Sequence, residues 1–236
     1  MKTTQIAGLL ILMMLFGCSE DNEDYFVARD MGYYPVETGK YNQYEVTEIN
    51  IDAPSEVYDT IHYQLKELIG GSYTDNEGQE AYMFVRYKRQ DTTKNWSLSD
   101  VWSLSVSNQK LFLTEENLKY VKIYFPVSTG KSWDGNAYNT LEPQTYEITG
   151  LDRPETINNF YFDSVLTVTQ EADSSLIHKD LLFEQYARDT GLIYKEITRI
   201  NSQEIEPGVP VDERITTGSI YRQKFVKRDH DENFEI

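Results

Sequence analysis

Three groups of residues in this 236-residue chain have types and spacing that could do chemistry. The first is Gly130-Lys131-Ser132, which matches the end of a P-loop, a cradle whose backbone amides wrap a phosphate. That motif needs glycine five positions before Gly130, and Phe125 stands there. A helix should start after Ser132, yet Trp133-Asp134-Gly135 reads as a turn. Nucleotide binding is therefore excluded at this place. The second group is the carboxylates. A glycosidase sets two of them across a cleft, but Glu115 and Glu116 are chain neighbours and read as solvated acids opening a short helical turn in TEENLKY (114–120). Asp75, Glu77 and Glu80 could surround calcium, but DNEGQE lacks the EF-hand spacing. The third group is His62, His178 and His230, none with a second His or Cys at ligand spacing. No catalytic, cofactor-binding or metal-binding residue is expected, and the chain reads as non-enzymatic.

Aromatic residues are the compositional excess, with 18 Tyr and 3 Trp. In a β-rich protein most such rings fill the core and form cross-strand pairs. Trp133 and Tyr138 flank Asp134-Gly135 and are expected to face each other across a hairpin. Trp96 lies in the loop-like TTKNWSLSD (92–100) and is the tryptophan expected at the surface, so it is the candidate contact for a glycan.

The elements that must position these residues are strands. Period-two alternation runs through residues 41–51, 60–68, 80–89, 101–107, 162–171 and 219–227. Residues 181–200 form two apolar-rich arms around Arg188-Asp189-Thr190-Gly191, the clearest hairpin, with Gly191 free to take positive φ. The P-loop look-alike has a twin: YPVETGKY (34–41) matches FPVSTGKS (125–132) at Pro, Val, Thr, Gly and Lys. Pro35 and Pro126 suit strand ends, and Gly39, Gly130 and Gly135 supply turn positions. The pattern predicts an all-β fold, an antiparallel barrel or sandwich of about ten strands with few short helical turns. One domain over residues 33–227 is expected, with repeat halves 33–124 and 125–227. A polar tail is expected over 228–236.

The first 17 residues read as a signal peptide: Lys2 precedes an apolar run of eleven (6–16), short of the about 20 residues a membrane span needs. The run ends at Leu15-Phe16-Gly17-Cys18, which resembles the bacterial lipobox and implies acylation of Cys18, the single cysteine. Residues 18–32 read as a tether, acidic at Glu20, Asp21, Glu23 and Asp24. That run resembles the export tag of Bacteroidota surface lipoproteins, which implies the outer membrane, at the cell surface or else on the periplasmic face. Without residues 1–17 the chain holds 21 Lys+Arg against 39 Asp+Glu, a formal charge of −18. Such a surface repels phosphate backbones and disfavours nucleic acid. Asp59-Thr60-Ile61, Asp91-Thr92-Thr93 and Asp163-Ser164-Val165 resemble the Bacteroidota O-glycosylation acceptor, which marks Thr60, Thr92 and Ser164 as candidate sites. Residues 120–139 and 184–197, with the lipobox, resemble a family of uncharacterised Bacteroidota outer-membrane lipoproteins. The resemblance implies location and a β-rich fold and brings no activity with it. The expected partners are the membrane through Cys18 and a protein, small-molecule or glycan ligand. The expected role is a ligand- or partner-binding envelope domain, with an accessory subunit of a transport or secretion complex second and an extracellular hydrolase last.

Overall fold

The computed structural model of the chain describes residues 29–231. Twelve strands alternate along it: β1 Lys40–Asp52, β2 Val57–Thr74, β3 Glu80–Arg89, β4 Ser97–Ser107, β5 Lys110–Glu115, β6 Leu118–Tyr124, β7 Ser132–Asp134, β8 Thr145–Ile157, β9 Phe160–Ser174, β10 His178–Ala187, β11 Gly191–Asn201 and β12 Thr217–His230. All lie in one antiparallel sheet of order β6-β5-β4-β3-β2-β1-β12-β11-β10-β9-β8-β7. Within each six-strand meander every strand pairs with its sequence neighbours, β6 and β7 form the two sheet edges, and the joint between the meanders is the long β1–β12 ladder.

The sheet curls until its two edges meet. The Val121 amide of β6 donates to the Gly135 carbonyl at 3.0 Å, and Lys119 forms an isolated bridge with Tyr138. Trp133 Nε1 reaches the Val121 carbonyl at 2.8 Å across the same seam. The architecture is a nearly closed barrel, which removes the sandwich alternative. Barrel closure is also a physical solution to unpaired strand edges.

Tight turns explain two more strands than the alternation predicts. Asn108-Gln109, Glu116-Asn117 and Asn158-Asn159 all have both φ values between 47° and 69°. That is the type I′ pattern, whose twist matches that of the flanking strands, and Asn tolerates it best. The expected helical turn in residues 114–120 is instead the β5–β6 hairpin around Glu116-Asn117.

Both hinges lie at one end of the barrel. In each, a glycine in the left-handed region (Gly39 φ 84°, Gly130 φ 81°) closes a turn in which Lys40 or Lys131 bonds back to Glu37 or Ser128 at 3.1 Å. Each glycine amide then donates at 2.8 Å to the next strand, Gly39 to Ile69 of β2 and Gly130 to Ile148 of β8. The hinges thus hold equivalent places in the two meanders. Phe125-Pro126 is cis and Tyr34-Pro35 is not. Gly191, at φ 85°, opens β11 as the hairpin reading requires. Gly135 differs: its φ is not positive, and a Cβ there would overlap the Tyr146 ring. It stands in the turn after β7 as expected, but the close approach of Tyr146, and not a left-handed φ, is what requires glycine there.

The same end is plugged by residues 29–34. Asp30, fully buried, accepts the Val127 amide at 2.9 Å, and Tyr33 is wholly enclosed. Residues 29–32, expected in the tether, therefore belong to the body. At the other terminus β12 runs to His230, so residues 228–230, expected in the polar tail, are strand. The remainder of the signal, tether and tail segments lies outside the described residues.

Candidate functional site

The inward faces of the strands hold an ionic cluster that continues the apolar alternation. Leu65, Glu67 and Ile69 of β2, Phe84 and Arg86 of β3, and Leu111, Leu113 and Glu115 of β5 each share one face of their strand. Lys122 of β6, the neighbour of β5, meets them from the same side, and Glu184 of β10 and Lys195 of β11 from across the barrel. Glu184 is the centre. It accepts from Lys122 Nζ at 2.7 Å and from the Tyr186 hydroxyl at 2.5 Å, and Lys195 Nζ lies at 3.5 Å. Arg86 bridges Glu67 and Asp100, both at 3.2 Å, and stacks on Trp102 at 4.0 Å. Glu115, expected in a solvated turn, is 3.8 Å from Lys122, while Glu116 accepts the Trp102 indole N–H.

These contacts set the protonation states. Burial alone would raise Glu184, but the Lys122 and Lys195 ammonium groups and the hydrogen bonds reverse it and hold the carboxyl at about 2. Burial would lower Lys122, and Glu184 and Glu115 outweigh that to raise it. Glu67 is raised by burial, which Arg86 and Lys195 only partly offset. Three acids therefore face three bases inside the barrel. The enclosed space is about 30 Å³. That suits roughly two water molecules, whereas ligand sites occupy about 300 Å³ or more. Gln223, 1% exposed, lines this space; its carbonyl accepts the Tyr221 hydroxyl, and its buried amide nitrogen has no protein partner.

A second cluster is built by the opposite strand faces. Register places Tyr41 opposite Asp229, Gln43 opposite Lys66 and Lys227, and Lys66 opposite Tyr87. Their side chains share the outer face of β12-β1-β2-β3, and Trp96, entering β4, closes its margin. Lys66 Nζ lies 4.6, 5.2 and 5.7 Å from the Tyr87, Tyr41 and Trp96 ring centres. It also pairs with Asp231 at 3.2 Å. Arg89 stacks on Trp96 at 4.2 Å and donates to Gln64 at 2.7 Å. Tyr41, Gln43, Lys66, Arg89 and Trp96, with the end of β12 and Asp231, line an open depression of about 440 Å³. Trp96 is half-buried, so its surface position is only partial.

The other expected sites scatter. Thr60 is exposed in β2, and Thr92 is exposed in the β3–β4 turn. The Ser164 hydroxyl is already engaged, donating to Asp152 at 2.5 Å. Asp75 accepts the amides of Glu77 and Gln79, and Glu77 pairs with Lys119, so the calcium candidates serve a turn and an ion pair. His62 bonds Thr47 and His178 bonds Asp173. Trp133 packs on Tyr146, and Tyr138 packs on Phe112, so the expected Trp133–Tyr138 pair does not form. Cys18 lies outside the described residues.

Fold and site define a class: a twelve-stranded meander barrel with an ion-paired interior and an aromatic–cationic outer depression. No family model matches the chain, and no curated protein matches it. Among solved structures it is similar to a protein described as exported, with a YmcC-like fold, from Bacteroides fragilis. The identity is 11% over 82% of this chain and 98% of that one, with a TM-score of 0.41. It is also similar to a protein described as a lipoprotein from Parabacteroides distasonis, at 11% identity, the same coverage and a TM-score of 0.35. Likeness of this extent carries nothing about activity or location.

Proposed function

We propose that this chain is a non-enzymatic, lipid-anchored envelope domain that binds a saccharide on its outer face around Trp96. The carrying observation is the contrast between the two sides of the sheet. Inside, the carboxylates that could do acid–base chemistry are matched by bases in a space too small for a substrate. Outside, Tyr41 and Trp96 stand among Lys66, Arg89, Gln43 and Asp231 in a depression of ligand size. Rings give stacking surface and the polar groups give hydrogen bonds, the combination a sugar needs. The lipobox-like Cys18 and the acids after it support anchoring to the outer membrane, at the cell surface or on its periplasmic face.

Glycan-array binding of the acyl-free Cys18→Ala chain tests the site. Trp96→Ala should weaken the strongest binder about tenfold, equivalent to about 1.4 kcal/mol. An array without binders, or binding untouched by Trp96→Ala, overturns the saccharide reading. Alkyne-palmitate labelling tests the anchor: the native chain should take up label and Cys18→Ala should not.

A second reading, an accessory subunit of an envelope complex, has its own observation. At the barrel end opposite the hinges Tyr58, Leu176, Ile177 and Ile205 are exposed. Arg214 ties the carbonyls of Leu176, Glu204 and Val209 together beneath them. Exposed apolar side chains on a braced surface are what a protein partner would cover.

A further inference from the structure

The β8–β9 hairpin is not a plain member of the barrel wall. Its register with itself shifts three times between Ile148 and Glu155, and Asp152 takes a left-handed φ of 52° where the strand bends. The tip then reaches past β10 and β11 to β12. Asn158 Nδ2 donates to the Phe225 carbonyl at 3.1 Å, and Phe160 and Phe162 meet the Phe225 ring edge-on, both at 5.5 Å. This holds Phe160 and Tyr161 outward, 44% and 70% exposed. Large rings on a braced hairpin tip are costly to leave in water.

The place of this tip in the molecule says what covers it. Its base is knotted to the segment by which the chain enters the body. Asp152 accepts from the Tyr33 hydroxyl at 2.6 Å, from Ser164 at 2.5 Å and from Arg188 at 3.3 Å. Arg188 also donates to the Arg29 carbonyl at 2.8 Å. The β8–β9 hairpin and the chain entry are therefore neighbours at the hinge end. Only eleven residue steps separate Arg29 from Cys18, and at about 3.5 Å each they span no more than about 40 Å.

We infer that Phe160 and Tyr161 form a second membrane contact, seated in the interfacial zone of the bilayer that holds the acyl chain. The inference rests on acylation of Cys18. Aromatic rings with one apolar and one polar aspect favour that zone. A single weak hydrophobic insertion adds to an acyl chain in the way a second anchoring signal does. The barrel then stands hinge end down, with the Leu176–Ile205 end away from the bilayer.

The test uses the full acylated chain in vesicles of phosphatidylethanolamine and phosphatidylcholine. Acylation blocks the Cys18 thiol, so an added cysteine takes an environment-sensitive nitrobenzoxadiazole label alone. Thr156→Cys sits across the hairpin from Tyr161, and Glu206→Cys marks the opposite end. Spin-labelled lipid should quench the label at 156 at least about twofold more than at 206. Tyr161→Ser, which leaves the Phe160–Phe225 contact in place, should remove that difference. Equal quenching at both positions in protein that floats with the vesicles overturns the inference while the anchor stands. Protein that takes a second label at Cys18 and does not float overturns the anchor, and this orientation with it.

Discussion

At the scale of single residues, Glu184 is the group on which the interior depends. Its carboxyl titrates at about 2 in the fold against an ordinary value of 4.5. A depressed acid contributes stability that is fully present above its unfolded value and is lost as pH falls through the folded one. The shift corresponds to about 3 kcal/mol at neutral pH. Urea unfolding of the native chain should therefore weaken between pH 4.5 and about 2, and Glu184→Gln should flatten that part of the curve. Glu67 acts in the opposite sense: its raised value makes its burial unfavourable above the ordinary carboxylate range, and protonation relieves it. Its effect falls on the other side of pH 4.5: stability should rise as pH drops toward 4.5, before the Glu184 loss sets in. Removing one partner of such a cluster is worse than replacing the whole pair, because it strands the other charge. Lys122→Met should cost about 3–5 kcal/mol at pH 7, read as a fall in the urea midpoint.

At the scale of elements, the twin hinges offer a controlled comparison. Both glycines need a left-handed φ, which costs a side-chain-bearing residue about 1–2 kcal/mol. A Cβ on Gly130 meets nothing within 4 Å, whereas on Gly39 it would lie 2.6 Å from the His230 ring. Gly39→Ala should therefore lower Tm more than Gly130→Ala, and adding His230→Ala should bring the two together. The hinges were legible as a pair because proline and glycine act through local backbone limits. The long strands were legible for the same reason, through period two. The Asn108-Gln109 and Glu116-Asn117 turns were not, since neither has the glycine that usually marks a type I′ turn. Nor was the ionic interior, because a local pattern assigns a charged residue to the solvent side. Lys122 and Glu184 are 62 positions apart, and only barrel closure brings them together. The available signal was phase: Glu67, Arg86 and Glu115 stand where the next inward apolar residue was due. The same phase would have grouped Tyr41 and Gln43, or Lys66 with Gln64, on the outer face with Trp96.

At the scale of the whole molecule, the two joints of the ring differ in strength. β1 and β12 are joined along the full length of β1, from Lys40 opposite His230 to Asp52 opposite Thr217. The β6–β7 seam rests on a three-residue strand, one backbone hydrogen bond, one isolated bridge, side-chain bonds from Trp133 and Asn139 to β6 carbonyls, and the Tyr138–Phe112 contact. Local opening follows the number of cooperating bonds that must break. Hydrogen exchange should therefore release the Val121 amide, on the seam, well before the central amides of β1 and β12. Protection of Val121 equal to that of Val46 would show a ring closed as firmly at the seam as at the long joint.

The long joint also fixes when the fold can be completed. Lys40 and His230 are 190 positions apart, so the ladder between them is among the most non-local pairings a chain of this length can make. Loop closure over such a separation precedes any reward from the contacts, and topologies of this kind assemble slowly. A chain that emerges from its first residue onward holds β1 with one edge satisfied by β2 and the other bare until the last strand arrives. During that interval the exposed edge is a template for any passing strand. The barrel thus has a birth order problem: its first strand is finished last, and a helper that shields a bare β edge would act there before anywhere else.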